Sequence, residues 1–308
     1  MGKNLSIIIP LVLVILMAIY TVKERRLLLL MAMMPSDPPL NEPAEQPESV
    51  TWFDDYFTLK YIDANTIAIG EPRYHQLNYN YLIIGEERAI LFDTGAGVRD
   101  IKPVVESLTS LPVIVTQSHL HYDHVGNHTK FDRVAMPDLP HLRSASKTGS
   151  LQLSRSEHLG FIEGFEAPKL EVAEWWTPGA SVDLGGRAVS VIHTPGHTND
   201  SMMLLDRDRN LLFTGDFIYP GPLFAMTPGA DLQAYLKTAR RLLEIISPET
   251  RLLPAHGESE RSGVPILEHA DIVDLRNTLE KVLKGTLAGE GFYLKNYAVN
   301  NRIELWTD

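Results

Sequence analysis

The sequence of 308 residues contains no cysteine. Disulfides, a catalytic thiol and a thiolate metal ligand are therefore excluded, although the absence leaves the redox compartment of the protein open. A zinc site in this chain would have to use histidine and carboxylate ligands.

Basic residues are also scarce. The chain has 28 Lys and Arg against 39 Asp and Glu, which gives a formal net charge of −11. No run of basic residues lies near the polar motifs described below. The sequence therefore indicates no basic surface that would attract a polyanion. We therefore expect no nucleic acid as substrate or partner. A small phosphodiester is not excluded by this argument.

The sequence has one long apolar run near its start. Leu5 to Val22 are eighteen residues without a charge, and basic residues follow at positions 23, 25 and 26. This run is long enough to span a bilayer, so residues 1–34 are predicted to form a single-pass membrane anchor, an apolar helix outside the folded domain. A cleaved signal peptide, which would give a secreted or periplasmic protein, is the alternative. The side of the membrane stays open.

A segment of different composition follows. Residues 35–48 contain five prolines and four acidic residues. This composition predicts a stiff, solvated linker over residues 35–50. Residues 51–308 are then predicted to form one folded domain, which contains all the motifs described below.

The densest group of potential metal ligands occupies residues 119–124, with the sequence His-Leu-His-Tyr-Asp-His. Residues 113–116 before it are β-branched and predict a strand. In an extended turn, residues two apart point the same way, so His119 and His121 can face one ion while Asp123 and His124 face another. This spacing predicts a site for two metal ions.

Three later motifs add ligands of the same kind. His197 follows a Pro-Gly turn, Asp216 follows Thr-Gly, and His256 lies in Pro-Ala-His-Gly. Each motif comes directly after a short apolar run that predicts a strand. We therefore expect all three side chains at strand ends, where they can complete the site.

Imidazole and carboxylate ligands favour zinc, although iron or manganese can occupy the same ligand set. Two such ions lower the pKa of a bound water, so that hydroxide is available at neutral pH. Such a site can hydrolyse a substrate without a serine or cysteine nucleophile.

The ordered motifs resemble those of the metallo-β-lactamase superfamily, and the resemblance extends from about residue 58 to the end of the chain. It implies that His119, His121 and His197 bind the first metal and that Asp123, His124 and His256 bind the second. It further implies that Asp216 bridges the two ions and that Asp93, in a Phe-Asp-Thr-Gly turn, braces a ligand histidine rather than binding metal.

Asp123 and Tyr219 are the candidate catalytic residues. In lactonase-like members of the family, a tyrosine at the place of Tyr219 reaches the substrate carbonyl, where a hydroxyl can stabilise an oxyanion. The alternative for Tyr219 is a packing role in the Pro-Gly-Pro loop that follows it.

The resemblance also narrows the reaction. True β-lactamases of the superfamily generally lack the carboxylate of Asp216, whereas the thioesterase, lactonase, glyoxalase II-like and phosphodiesterase branches keep it. We therefore expect a dinuclear zinc hydrolase that acts on an ester, thioester or lactone. A small-molecule phosphodiesterase or a β-lactamase-type hydrolase is the alternative. An iron-dependent sulfur dioxygenase and a non-catalytic metal-binding protein are alternatives of another class.

Apolar periodicity predicts an α/β fold. Strands are expected over residues 58–69, 79–84 and 88–92, and helices over 99–108, 231–246 and 266–283. A terminal hairpin is expected from residue 292 to residue 306. The order of these elements suggests two sheets packed face to face with helices outside, which is the four-layer αββα sandwich that the resemblance implies.

Residues 138–178 separate the first ligand cluster from the strand before His197. Their apolar side chains predict a partly helical cover that forms one wall of the substrate pocket and suits an acyl group. The same side chains could instead fill the core. They are Leu151, Leu153, Leu159, Phe161, Ile162, Phe165, Trp175 and Trp176. The oligomeric state is not indicated by the sequence.

Overall fold

The computed structural model describes residues 38–308. The predicted membrane anchor, residues 1–34, lies outside the described residues. Among residues 38–308, no helix is both long enough and apolar enough to cross a bilayer.

The largest sheet has nine strands. In chain order they are β1 (Thr51–Trp52), β2 (Thr58–Asp63), β3 (Thr66–Glu71), β4 (Asn78–Ile84), β5 (Ala89–Phe92), β6 (Val113–Thr116), β7 (Val134–Pro137), β8 (Ser150–Gln152) and β9 (Lys169–Trp176). The order across the sheet is β1-β2-β3-β4-β5-β6-β7-β9-β8. Strands β1 to β5 pair antiparallel, whereas β5, β6, β7 and β9 run parallel.

The remaining strands form two smaller sheets. The second sheet contains β10 (Ser181–Asp183), β11 (Ala188–His193), β12 (Met202–Asp206), β13 (Leu211–Gly215) and β15 (Arg251–Pro254), in that order. The third contains β14 (Gly221–Phe224), β16 (Lys295–Ala298) and β17 (Ile303–Thr307). Strands β16 and β17 are antiparallel and form the predicted terminal hairpin.

Six α-helices are described. They are α1 (Lys102–Leu108), α2 (Tyr122–Val125), α3 (Pro140–Ala145), α4 (Arg155–His158), α5 (Leu232–Ile245) and α6 (His269–Leu283). The side chain of Asp231 accepts a hydrogen bond from the amide of Ala234, so it caps α5 as the sequence predicts.

The two larger sheets pack against each other through their inner faces. Phe213 of β13 contacts Tyr81 of β4 and Phe92 of β5, with ring centroids 5.2 and 6.2 Å apart. Helices α5 and α6 cover the outer face of the second sheet through residues such as Tyr235 and Leu275. Helix α1 covers the outer face of the nine-stranded sheet. The predicted mixed α/β class is confirmed.

Two local predictions differ from the structure. Residues 58–69 form two strands instead of one, because Asp63 accepts hydrogen bonds from the amide of Asn65 and the hydroxyl of Thr66 and so closes a turn. Asp123 and His124 lie in the helical turn α2, not in an extended turn. The alternation of side-chain directions along an extended chain therefore applies to His119 and His121. It does not apply to Asp123 and His124.

Residues 38–50 lie against the domain, which distinguishes them from a free linker. The amide of Asn41 donates to the carbonyl of Arg73 at 2.7 Å, and Nε of Arg73 donates to the carbonyl of Asn41 at 3.0 Å. Nε2 of Gln46 donates to the carbonyl of Glu260 at 2.7 Å, and Val50 is buried. Composition predicts the stiffness of this docked segment, but it carries no information about these long-range bonds.

Candidate metal centre

The seven predicted metal ligands follow the ends of four strands. The cluster at residues 119–124 follows β6, and His197, Asp216 and His256 follow β11, β13 and β15. The amide of Met202 donates to the carbonyl of Ser118 at 2.7 Å, which ties the second sheet to the start of the cluster. All seven side chains are buried.

Three histidines form the first group. Nε2 of His119 lies 2.8 Å from Nδ1 of His121, and Nε2 of His197 lies 3.2 Å from the same atom. The three ring nitrogens therefore surround one point. This arrangement can hold one metal ion.

Asp123, His124 and His256 form the second group. Oδ2 of Asp123 lies 3.1 Å from Nε2 of His124 and 3.5 Å from Nε2 of His256. The side-chain amide of Asn78 donates to the carbonyl and to Oδ2 of Asp123, which fixes the direction of this carboxylate.

The carboxylate of Asp216 lies between the two groups. Its Oδ2 is 3.7 Å from Nε2 of His197 and 3.9 Å from Nε2 of His119. Its Oδ1 is 3.0 Å from Nε2 of His256 and 3.3 Å from Nε2 of His124. Each oxygen thus faces one group, so Asp216 can bridge two ions.

The buried polar atoms of the site fit a cation. Within residues 38–308, Oδ1 of Asp216, Nε2 of His121 and Nε2 of His124 make no hydrogen bond of adequate geometry. Buried polar atoms without such partners are rare in folded proteins. Metal coordination would satisfy Oδ1 of Asp216 and Nε2 of His124, whereas His121 faces the first group through Nδ1.

The two groups differ in electrostatics. Burial lowers the pKa of His119, His121 and His197 below the usual value. These rings are therefore neutral near pH 7, the state that binds metals.

The second group has the opposite tendency. Burial also acts to lower the pKa of His124 and His256, but the charges of Asp123 and Asp216 outweigh it and raise both values. Burial acts to raise the pKa of the two carboxyls, but the same histidines hold it below the usual range. Both carboxylates are therefore ionised at neutral pH.

The outer nitrogens of three histidines have fixed partners. Nδ1 of His124 lies 3.0 Å from Oδ2 of Asp93, as the resemblance implies for a bracing residue. Nδ1 of His256 donates to the carbonyl of Gln76 at 2.9 Å, and Nδ1 of His197 donates to the carbonyl of Phe224 at 2.8 Å. Such bonds fix the tautomer and leave Nε2 free for a metal.

Asp200 is a supporting residue that the motif analysis missed. Its Oδ2 accepts a hydrogen bond of 2.9 Å from the amide of Leu120, which lies between two ligand histidines. The sequence offers one indication of this role, because Asp200 lies three residues after the ligand His197. The carbonyls of Gln76 and Phe224 were also missed, because backbone acceptors have no mark in a sequence.

A cleft of about 230 Å³ opens at the second group. One wall is apolar and includes Leu77 and Phe224. Tyr219 also lines the cleft, and its ring centroid lies 5.0 Å from that of His256. The hydroxyl of Tyr219 donates to the carbonyl of Pro222. The structure thus places Tyr219 at the site, but the proton of its hydroxyl is donated to a carbonyl group of the same loop.

The predicted cover, residues 138–178, contributes more to the core than to this cleft. Leu151, Leu153, Leu159 and Ile162 are buried in the core of the nine-stranded sheet. The apolar residues of the cover are absent from the lining of the cleft beside His256. The core-filling alternative therefore describes these four side chains.

The chain is similar to known metallo-β-lactamase-fold proteins. The family model described as "Metallo-beta-lactamase superfamily" matches residues 77–257. "Acyl-coenzyme A thioesterase MBLAC2" of Homo sapiens is 27% identical over 199 residues, which cover 57% of this chain and 71% of the relative. The protein of the same name in Gallus gallus is 24% identical over 224 residues, covering 66% and 81% of the two chains.

A solved structure has the same fold. The metallo-beta-lactamase from Pontibacter korlensis superposes with a TM-score of 0.53 at 17% identity and covers 73% of this chain and 99% of its own. At this level of identity the likeness concerns the fold alone.

Proposed function

Because the chain belongs to the metallo-beta-lactamase superfamily, we propose that it is a dinuclear metal-dependent hydrolase of acyl thioesters. The observation that carries the proposal is the position of Asp216, whose two carboxylate oxygens face two separate groups of ligands. A bridging carboxylate of this kind suits a pair of ions. We assign the four-layer αββα sandwich to residues 51–308 as part of the same proposal.

The first ion would be held by His119, His121 and His197, and the second by Asp123, His124 and His256, with Asp216 between them. Zinc is the metal we propose, because neutral imidazoles and carboxylates suit it. When bound, two such ions supply a Lewis acid and make hydroxide available at neutral pH.

The residues of the chain orient and shield this chemistry. Asp93 and the carbonyl of Gln76 hold the rings of His124 and His256 in place. Asn78 fixes the carboxylate of Asp123. Because the ligands are buried, bulk water is kept from the reacting groups on all sides except the cleft.

Two observations support a thioester with an apolar acyl group. Relatives named as acyl-coenzyme A thioesterases match more than half of the chain. The cleft beside His256 has an apolar wall that includes Leu77, Pro220 and Phe224. Such a wall can accept an acyl chain while the polar ligands face the carbonyl.

Tyr219, a candidate catalytic residue, lies in the cleft wall next to His256. For its hydroxyl to reach a substrate oxyanion, the bond to the carbonyl of Pro222 must break.

Membrane anchorage through residues 1–34 is a separate proposal that rests on the sequence. We expect the full chain to stay with membranes during alkaline carbonate extraction and a chain lacking residues 1–37 to be released. Release of both forms would contradict the proposed anchor.

A matched substrate panel tests the proposed hydrolase. The purified protein is assayed with an acyl thioester, a homoserine lactone, a phosphodiester and a β-lactam, before and after metal removal by a chelator. We expect the thioester to be hydrolysed fastest, and zinc to restore the activity that the chelator removes.

His121→Ala is the control variant, because it deletes a ligand of the first ion. Thioester hydrolysis that survives this substitution would contradict the metal-dependent mechanism. If a substrate of another class is hydrolysed fastest, the proposed substrate is wrong, but the proposed metal-dependent mechanism still stands.

A further inference from the structure

Glu163 forms a polar cluster beside the metal centre. Its side chain, only 1% exposed, comes from the predicted cover over residues 138–178. Its carboxylate accepts hydrogen bonds from the hydroxyls of Tyr74 at 2.6 Å and Tyr122 at 2.5 Å. Nε2 of His75 lies 2.9 Å from the same carboxylate.

The surroundings of Glu163 favour a charged partner. A buried carboxylate is costly unless it is paired and hydrogen-bonded. The hydroxyls of Tyr74 and Tyr122 supply two of these hydrogen bonds. Among residues 38–308, His75 is the one basic side chain that forms an ion pair with Glu163. The contact with Glu163 therefore fixes the orientation of the His75 ring.

His75 also lines the cleft of the metal centre. It shares the lining of that cleft with Asp216 and His256, and its side chain is 24% exposed. Within the described part of the chain, Nδ1 of His75 has no hydrogen-bond partner. One ring nitrogen is thus held by Glu163 while the other stays available. The next residue, Gln76, offers its carbonyl to His256, so the position of this loop is tied to the metal centre.

We propose that His75 is a further catalytic residue, the general acid that protonates the leaving group, and that Glu163 is the positioning residue that orients it. This inference rests on the proposed thioester hydrolysis. It assigns the leaving group of the substrate to His75, which lines the same cleft as the apolar residues that would take the acyl chain.

Hydroxide adds to the thioester carbon, and the carbonyl π electrons move to oxygen. When the carbonyl re-forms, the carbon–sulfur bond breaks and its electron pair stays on sulfur. Nδ1 of His75 gives its proton to that sulfur, which leaves a carboxylic acid and a free thiol. The neutral imidazole keeps its Nε2 proton on Glu163 and regains the lost proton from solvent.

Leaving-group basicity distinguishes this role from a structural one. Two hexanoyl thioesters with the same acyl group are compared, one of N-acetylcysteamine and one of thiophenol. An alkyl thiolate is the more basic leaving group, so its departure gains more from protonation than the departure of an aryl thiolate. The variant is His75→Gln, which can still donate to Glu163 but cannot transfer a proton. His269→Gln, at the start of α6, is the matched control.

We expect His75→Gln to lower kcat for the alkyl thioester by about 100-fold, the lower end of the range for general acid catalysis, and for the aryl thioester by less than about threefold. Equal losses on both substrates would overturn the inference and leave the proposed function standing. Absence of thioester hydrolysis in the unsubstituted protein would overturn both.

A second measurement does not depend on activity. Histidine labelled with ¹⁵N allows the ring protonation of His75 to be observed by NMR, and Glu163→Gln should remove the proton-sharing signal at Nε2. Metal content should stay unchanged in His75→Gln. A His75 ring whose Nε2 carries no proton in the unsubstituted protein would contradict the assigned pair.

Discussion

Oδ1 of Asp216 lies 3.0 Å from Nε2 of His256, although the two residues come from different strand ends, those of β13 and β15. The two strands are parallel neighbours, so their carboxyl ends meet at one edge of the sheet. The other oxygen of Asp216 faces the first group of histidines. One side chain therefore connects two groups that could otherwise bind metal independently.

Asp216→Asn tests this connection. The amide keeps the shape but loses the charge, so the two proposed metal ions would no longer share an anionic ligand. We expect metal content to fall from about two ions per chain to one or fewer, since carboxylate bridging is a common feature of two-metal sites. Mass spectrometry of metals after dialysis measures this. Asp132→Asn, on an exposed loop, is the control, and two retained ions in Asp216→Asn would contradict the bridging role.

The sequence predicted the metal ligands best where a residue that can bind metal directly follows a predicted strand. His119, His197, Asp216 and His256 each follow an apolar run, and parallel strands bring such ends together. The partners that fix these ligands were less accessible. Gln76 and Phe224 act through backbone carbonyls, which any residue provides, so only the folded chain identifies them.

Asp200→Ala should loosen the first metal cluster. The substitution leaves the amide of Leu120 buried without its acceptor, which costs about 1–3 kcal/mol of unfolding free energy. We also expect metal affinity to fall about 10–100-fold, as for other residues that support ligands. Urea unfolding and metal titration measure the two effects.

Asp200→Asn provides the matched comparison because its side chain still offers an oxygen to Leu120. We expect it to recover most of the lost stability, whereas Asp208→Ala, at an exposed position, should change nothing. Equal losses in the Ala and Asn variants would show that the hydrogen bond to Leu120 is not the cause.

Glu71 should make stability depend on pH. Burial raises the pKa of its carboxyl from 4.5 to about 7, although Asn80 and Tyr56 donate hydrogen bonds to it. The native state therefore holds this proton more tightly than the unfolded chain. The resulting stability is fully present below pH 4.5 and is lost as pH rises through 7.

Glu71→Gln should remove that dependence. The difference in unfolding free energy between Glu71→Gln and the unsubstituted protein should change by about 3 kcal/mol from pH 4.5 to pH 8. Urea unfolding of the metal-free protein measures it, and comparison with the variant cancels the titration of other groups. A difference that does not vary with pH would refute the assignment to Glu71.

The docked segment gives a prediction about chain boundaries. A chain that begins at residue 51 loses the bonds of Asn41 and Gln46 and the burial of Val50, whereas a chain that begins at residue 38 keeps them. We expect the shorter chain to be less stable by about 2–4 kcal/mol, because each lost hydrogen bond contributes about 1 kcal/mol. Thermal unfolding compares the two, and identical midpoints would show that the segment is dispensable.

The contacts of the docked segment, residues 38–50, could not be predicted from amino-acid composition. Prolines and acids at residues 35–48 predict a stiff solvated chain, and nothing local indicates that Asn41 would exchange hydrogen bonds with Arg73. Glu163 is similar, since its partners come from distant loops. Long-range polar contacts depend on which loops meet, and this is settled only by the complete fold.

Tyr219→Phe separates the two roles considered for this tyrosine. An oxyanion donor would lower kcat by about 10²–10³ when its hydroxyl is removed. A loop-packing hydroxyl would instead cost about 1 kcal/mol of stability with little change in kcat. Because the hydroxyl donates to the carbonyl of Pro222, and a hydroxyl has one proton to donate, we expect the second outcome.

Steady-state kinetics with the best thioester of the panel, together with thermal unfolding, measure both quantities. A kcat lowered by 100-fold or more at unchanged stability would show that the bond to Pro222 yields to the substrate and that Tyr219 acts in catalysis.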